Sequence, residues 1–142
     1  MLKNTIRLDR WGAKLKTVAD IMLKGNKIPF VNHNITMKKA LSFISKKGLG
    51  VLFVRKNKFT IGILTDGDIK RINQKNLDFQ RVKISTVMKK NPISVEKDTL
   101  AVKALEIMNT NRITSLCVHN GKRKNITIGI LHIHNILNAN IS

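Results

Sequence analysis

GILTDGDIKR (62–71) returns 67 residues later as GILHIHNILN (129–138), and the rest of the chain is read from that recurrence. Upstream, KALSFISKKGLGVLFV (39–54) aligns with KALEIMNTNRITSLCV (103–118) at an offset of 64. Further upstream, ADIM (19–22) aligns with STVM (85–88) at an offset of 66. Three blocks in the same order define an internal duplication. The offsets change where loops are expected. The second copy shortens the stretch before its first strand and lengthens the hairpin at 119–125.

Both copies carry the same pattern. A short helical turn (around 20–23 or 85–89) leads to a short strand near 28–31 or 93–95. A helix follows, about 37–47 and 100–109, with Thr36 and either Asp98 or Thr99 placed as N-caps. Met37, Ala40, Leu41 and Ile44 recur at helical spacing, as do Leu100, Ala104, Ile107 and Met108, and such stripes face a core. Next comes a β-hairpin. GVLFV (50–54) turns through 55–58 into FTIGIL (59–64), and ITSLCV (113–118) turns through a longer basic loop into ITIGIL (126–131). A last helix begins at Thr65 or His132, and the polar stretch 74–81 joins the halves. The class is α+β, as two β-α-β-β-α repeats. Each repeat is about 60 residues, too small to bury its sheet well alone, so the two are expected to pack sheet to sheet.

Composition narrows the function classes. The chain has 142 residues, room for one ordinary domain or two small ones. Its 27 Lys and Arg against 8 Asp and Glu leave a formal charge of +19, yet 42% of residues are hydrophobic, which excludes a disordered basic tail. Lys, Asn and Ile are abundant together and share A/T-rich codons, so much of the charge reads as solvated lysine. A polyanion-binding face is the functional alternative. Aromatics are only 4%, too few for single-strand stacking platforms, so nucleic acid is not an expected partner. The single cysteine, Cys117, excludes an internal disulfide and a cysteine-built zinc site, and its apolar setting suits a small buried hydrophobe in a reducing compartment. No window approaches 18 consecutive apolar residues and MLKNTIRLDRWGAKLK lacks a signal-peptide core, so a cytoplasmic location and no membrane association are expected.

The junction 62–71 carries the most chemistry. Gly62 inside a strand marks a bulge or a close approach. Thr65 stands where the helix begins, so its hydroxyl and the free N–H groups behind it can face an anion. Asp68, three residues on, shares that face and can accept two sugar hydroxyls. Lys70 and Arg71 bring positive charge for phosphate. A plainer reading stands beside this one: Thr65 and Asp66 cap the helix, and Asp68 stabilises its first turn. In the second copy His132 replaces Thr65 and Asn135 replaces Asp68. Asn135 can still bond a hydroxyl, without charge. His132 and His134 at i, i+2 on a helix are expected to point apart, and with no third ligand nearby no metal is expected. No catalytic residues are assigned. Glu96 and Glu106, the two glutamates, lie in segments that read as surface-facing, and no nucleophile–base set, P-loop or paired-carboxylate motif is present.

These features resemble a tandem CBS-domain pair, or Bateman module, and most of all the C-terminal regulatory half of the arabinose-5-phosphate isomerases. VADIM (18–22), IPFV (28–31), KKALSFISKKGLG (38–50), GILTDGDIKR (62–71), RITS (112–115) and GILHIHNIL (129–137) carry the resemblance, over about residues 18–141. It implies two repeats, 18–78 and 79–142, packed around a pseudo-two-fold axis. It also implies that 1–17 is a linker from a sugar-isomerase domain, since WGAKLKTV (11–18) is similar to the family's connecting segment. The function implied is regulatory: sensing a nucleotide or phosphorylated sugar for an isomerase that feeds lipopolysaccharide (Kdo) precursor synthesis. In such pairs the ligands lie in two clefts between the repeats. The family's Ser/Thr-x-x-Asp, which holds phosphate and ribose, maps onto Thr65 and Asp68. Its base-lining strand maps onto Gly50, Val51, Thr114 and Ser115. The isomerases resembled here also carry His at the position of His132. No cofactor is required; an adenine nucleotide, a cytidine nucleotide or a sugar nucleotide is the implied effector. A homodimer through the CBS pairs is the implied assembly. The alternative is a free-standing CBS adaptor that binds a protein or nucleic acid through its basic surface.

Overall fold

The structure is a computed structural model and describes residues 15–141. Most of the expected linker, 1–14, lies outside the described residues. In chain order the first elements are α1 (Val18–Ile21), β1 (Phe30–Asn32), α2 (Met37–Lys47), β2 (Val51–Lys56), β3 (Phe59–Thr65) and α3 (Asp66–Asn73). They are followed by α4 (Ile84–Val87), β4 (Lys89–Lys90), β5 (Ser94–Glu96), α5 (Ala101–Asn111), β6 (Ser115–His119), β7 (Gly129–His132) and α6 (Ile133–Asn138). Among the described residues no helix is long and apolar enough to cross a membrane.

The elements sort into two compact units, one of Asn26–Pro92 and one of the described residues up to Gly25 together with those from Ile93 onward. The first holds a sheet in the order β1-β2-β3-β4, with β1 parallel to β2 and the other pairs antiparallel. The second holds β5-β6-β7, again parallel then antiparallel. Each short helix thus belongs to the unit built on the other repeat's hairpin: α1 stands with β7, and α4 with β3.

Backbone pairing explains this exchange. The N–H groups at the start of a helix lack partners within it. At α2, Met37 N–H donates to Val82 O and Lys38 N–H to Phe79 O, while Ile84 N–H donates to Ile35 O. At α5, Ala101 N–H donates to Lys16 O, and Val18 N–H donates to Thr99 O. The segment before each short helix therefore satisfies the long helix of the other repeat. Thr36 is the expected N-cap of α2, accepting from Lys39 N–H. At α5 neither Asp98 nor Thr99 is the cap. Leu100 holds that place, bridged to Thr17, and its side chain is 41% exposed rather than in the core. The strand-like pairing with residues 16–18 shifts the helix start onto an apolar residue that no side-chain cap could have marked.

Two apolar clusters form on the helix side of the sheets. Val31, Leu52, Val54 and Leu64 pack with Met37, Ala40, Ile44, Ile72 and Ile84. Val95, Leu116, Val118 and Leu131 pack with Val18, Ala101, Ala104, Met108 and Ile136. Leu41 and Ile107, expected in the stripes, are only half-buried, Ile107 against the second cluster. The period-2 alternation of the strands leaves the other set of side chains on the opposite face.

The expected boundaries shift by a residue or two: the turns at 20–23 and 85–89 are helical at Val18–Ile21 and Ile84–Val87, and the leading strands are Phe30–Asn32 and Ser94–Glu96. In the second hairpin the return strand is Gly129–His132, shorter than the expected 126–131, although Ile128 N–H still reaches Val118 O.

Gly62 fulfils both readings of a glycine within a strand. The β2/β3 register slips beside it, between Val54 and Arg55, and a Cβ there would run into Met88 Sδ and approach Lys89 O to 3.0 Å. Gly129 repeats the device: a Cβ would meet Met22 Sδ and come 3.1 Å from Leu23 O. Each short helix hands a methionine to a strand glycine.

Candidate functional site

The twelve sequence-predicted residues gather into two strand–helix junctions, one in each unit. In the Asn26–Pro92 unit, Val51 pairs with Thr65 across the hairpin, and Asp66 N–H donates to Gly50 O at 3.1 Å. Gly50 has φ +70, so the turn favours glycine here, and a Cβ on it would lie 2.8 Å from Asp66 Oδ2, the end of an exposed side chain. In the other unit Ser115 pairs with His132, and Ile133 N–H donates to Thr114 O at 2.8 Å. Both groups are therefore contiguous, and both are set by the same hairpin.

At the first junction Thr65 and Asp68 form a reciprocal cap on α3. Asp68 N–H donates to Thr65 Oγ1 (3.2 Å), while Thr65 N–H and the Thr65 hydroxyl both donate to Asp68 Oδ2 (3.0 Å each). The other carboxylate oxygen, Oδ1, takes Arg71 Nη2 at 2.5 Å and Lys89 Nζ at 3.3 Å. Asp68 is 4% exposed. Burial works against its ionisation most strongly of any single influence, but the Thr65 backbone N–H, Arg71, the Thr65 hydroxyl and Lys89 together outweigh it and hold the carboxyl below its usual range. The plainer capping reading is thus realised by Thr65 and Asp68 rather than by Thr65 and Asp66, and Arg71 is engaged with Asp68. Lys70 and Asp66 are exposed.

The second junction is built alike without charge. His132 N–H donates to Asn135 Oδ1 at 2.8 Å, and His132 Nδ1 accepts from His134 N–H at 3.2 Å. The two rings do not point apart as expected; they stack with centroids 4.7 Å apart and planes at 23°. His132 is the N-cap, with extended backbone, so helical i, i+2 geometry does not govern the pair. Among the described residues no group of three or more potential metal ligands occurs. Ser115 is 6% exposed, and its hydroxyl has no hydrogen-bond partner among the described residues.

Two features escaped the sequence reading. Lys89, from β4, reaches Asp68 because Ile63 and Lys89 are register partners. The signal for it was present in the repeat: at the offsets that align the copies, Asp68, Arg71 and Lys89 correspond to Asn135, Asn138 and Leu23, all neutral together. The second is a polar pair on the sheet face away from the helices, half-buried Ser94 Oγ with buried His119 Nδ1 at 2.5 Å. Burial pushes the His119 imidazole below its usual value; Glu96 opposes that shift and Lys124 adds to it. Cys117, opposite Ser94 on that face, is buried, and burial pushes its thiol up to about 12.

Comparison with known proteins follows the same lines. The chain is 38% identical over 128 residues to arabinose 5-phosphate isomerase KdsD of Salmonella typhimurium, covering 89% of this chain and 38% of that protein. It is 42% identical over 122 residues to KdsD of Francisella tularensis, covering 84% of this chain and 36% of that protein. The chain therefore spans little more than a third of these relatives' length. Among solved structures, the CBS domain protein PAE2072 from Pyrobaculum aerophilum, complexed with AMP, superposes with a TM-score of 0.73 at 19% identity, over 84% of this chain and 89% of that one. The family model described as "CBS domain" matches twice, at residues 18–75 and 84–142. With the duplication, the paired hairpins and the two capped junctions all accounted for by that match, the chain belongs to the CBS domain family and carries two copies of the domain.

Proposed function

We propose that this chain is the ligand-sensing CBS pair of an arabinose-5-phosphate isomerase-like protein of the Kdo precursor pathway, and that it binds a nucleotide or phosphorylated sugar at its strand–helix junctions. One observation carries the reading. Thr65 and Asp68 stand at a helix start beside the close-packed Gly50 turn, with two cations within reach. That arrangement offers acceptors for sugar hydroxyls and positive charge for phosphate. The likeness to KdsD supports the enzyme family, and the AMP held by PAE2072 supports an adenine nucleotide as the first ligand to try.

The proposed role is regulatory. The polypeptide 1–142 by itself does not turn over arabinose 5-phosphate, and turnover by the purified chain above a mock preparation would refute that. Repeats 18–78 and 79–142 act as one sensing pair, which self-associates as a homodimer in the cytoplasm.

A thermal-shift screen over adenine nucleotides, cytidine nucleotides and sugar phosphates tests the reading. A ligand at 100 times its Kd adds about 2.7 kcal/mol to stability, a readily visible shift. The expected result is a saturable shift by one ligand class that persists at high salt. No shift by any class, or binding only of polyanions with a steep salt dependence, would favour the basic-surface adaptor instead.

A further inference from the structure

Both Asp68 oxygens are already engaged within the protein, so a sugar hydroxyl must compete for them. Oδ2 is taken twice by Thr65, and Oδ1 is taken by Arg71 and by Lys89. The neutral junction shows that the cations are not needed to hold the cap. Asn135 receives His132 N–H at 2.8 Å with Asn138 and Leu23 at the positions corresponding to Arg71 and Lys89. Carboxylate and both cations are present together in one unit and replaced together in the other, so they behave as one set with one purpose.

The cationic heads are also easily released. The side chains of Arg71 and Lys89 are 61% and 64% exposed, against 5% for that of Asp68. Ion pairs whose cations stand in water contribute little, so either side chain can turn away at small cost. Lys89 is held by its backbone in β4, so it can exchange partners without moving the strand.

We propose that Arg71 and Lys89 form a displaceable latch on Asp68 that makes this junction select a ribonucleoside phosphate over the unphosphorylated nucleoside. When such a ligand enters, its phosphate draws the two cations off Oδ1, and the freed carboxylate oxygen accepts the ribose diol. An unphosphorylated nucleoside offers the cations nothing and must compete with them for Asp68. The junction at His132, with no cation at the equivalent positions, lacks this discrimination. The inference rests on the reading of Thr65 and Asp68 as a nucleotide site and adds to it the role of Lys89 and the preference for phosphate.

The test uses AMP and adenosine as probes, followed by the amide resonances of Gly67 and Asp68, which report this junction. The variants are Lys89→Leu alone and Lys89→Leu with Arg71→Asn, each copying the residue of the neutral junction. Both positions are exposed, so the variants keep the core, and a melting curve checks this. In the wild-type chain AMP is expected to bind more tightly than adenosine. In the double variant AMP should weaken by about tenfold or more, the scale of losing hydrogen bonds between charged groups, while adenosine should bind as well or better. Lys89→Leu alone should shift both probes in the same directions by less. Equal losses for AMP and adenosine, or an unchanged AMP affinity, would overturn the latch. Silence of these amides towards AMP would overturn it too. A positive thermal-shift screen in that case leaves the sensing role standing, whereas a negative one removes both.

Discussion

The two units are the same machine tuned to different chemistry. On the sheet face away from the helices, the Asn26–Pro92 unit carries Phe30, Val51, Phe53 and Ile63, with Arg55 laid over the Phe30 ring at 3.7 Å. At corresponding positions the other unit carries Ser94, Ser115, Cys117 and Ile130, with His119 bonded to Ser94. The first face is apolar and ends in a charged junction; the second is polar and ends in a neutral one. Mechanical parts, by contrast, are preserved: glycine against methionine, backbone donors at the long helices, and a reciprocal cap at the last helix. Duplication conserved what the fold requires and let the outer sheet face and the charge of the junction diverge.

The largest expected effect tests the shared mechanics. Gly62→Val and Gly129→Val each drive a branched side chain into a methionine and a carbonyl oxygen, and overpacking of this kind costs about 1–3 kcal/mol or more. Denaturant unfolding should show comparable losses at both sites. A large loss at one and none at the other would break the equivalence.

The caps should separate the units. Asp68→Ala removes the side-chain half of a buried charged cap, leaving the Asp68 N–H bond to Thr65 Oγ1, and should cost about 1–3 kcal/mol of stability; Asn135→Ala should cost less, about 0.5–2. Asp68→Asn, which copies the neutral junction, should recover most of the loss. It should also remove an acid-dependent component. The Asp68 pKa is lowered in the folded chain from an ordinary value of 3.8, so its contribution is complete above that value and disappears as pH falls through the lower, folded one. Melting curves across pH 2–5 compare the two proteins, and identical pH slopes would contradict the assignment.

Ser115 sharpens the contrast in the opposite direction. Its buried hydroxyl lacks a partner among the described residues, so Ser115→Ala should raise stability by about 1 kcal/mol without ligand. A loss of stability would show that the hydroxyl is satisfied in solution.

The smallest effect is a pH slope. His119 has its pKa lowered from 6.5 by burial, so the stability tied to its neutral form is complete above 6.5 and falls as pH drops through the folded value. The charged and titratable groups acting on it are Glu96, beside it on β5, and Lys124, from the hairpin loop. His119→Gln should flatten that slope, measured by chemical denaturation between pH 5 and 7.

Much of this was legible beforehand because it is local. Thr36 and Thr65 announced helices through the hydrogen bonds their own side chains make within three residues, and Met37, Ala40 and Ile44 announced a face through spacing alone. The twelve candidate residues fell together because each group spans one hairpin, whose register brings its two ends side by side. Where a neighbour distant in sequence intervened, local signals misled. Leu100 looked like a core residue until residues 16–18 paired with the α5 start, and the His132 and His134 rings looked divergent until the strand end set the backbone of His132.

The sequence by itself determined the duplication, the α+β class, the junctions and the charge difference between them, since repeats and spacings depend only on the order of residues. Tertiary structure alone decided which short helix serves which sheet, that Lys89 meets Arg71 on one carboxylate oxygen, and that Ser115 is buried without a partner among the described residues. Those facts depend on pairings between residues far apart in the chain. Such pairings are chosen by the collective burial of two sheets' worth of apolar side chains, and no single residue type records that choice.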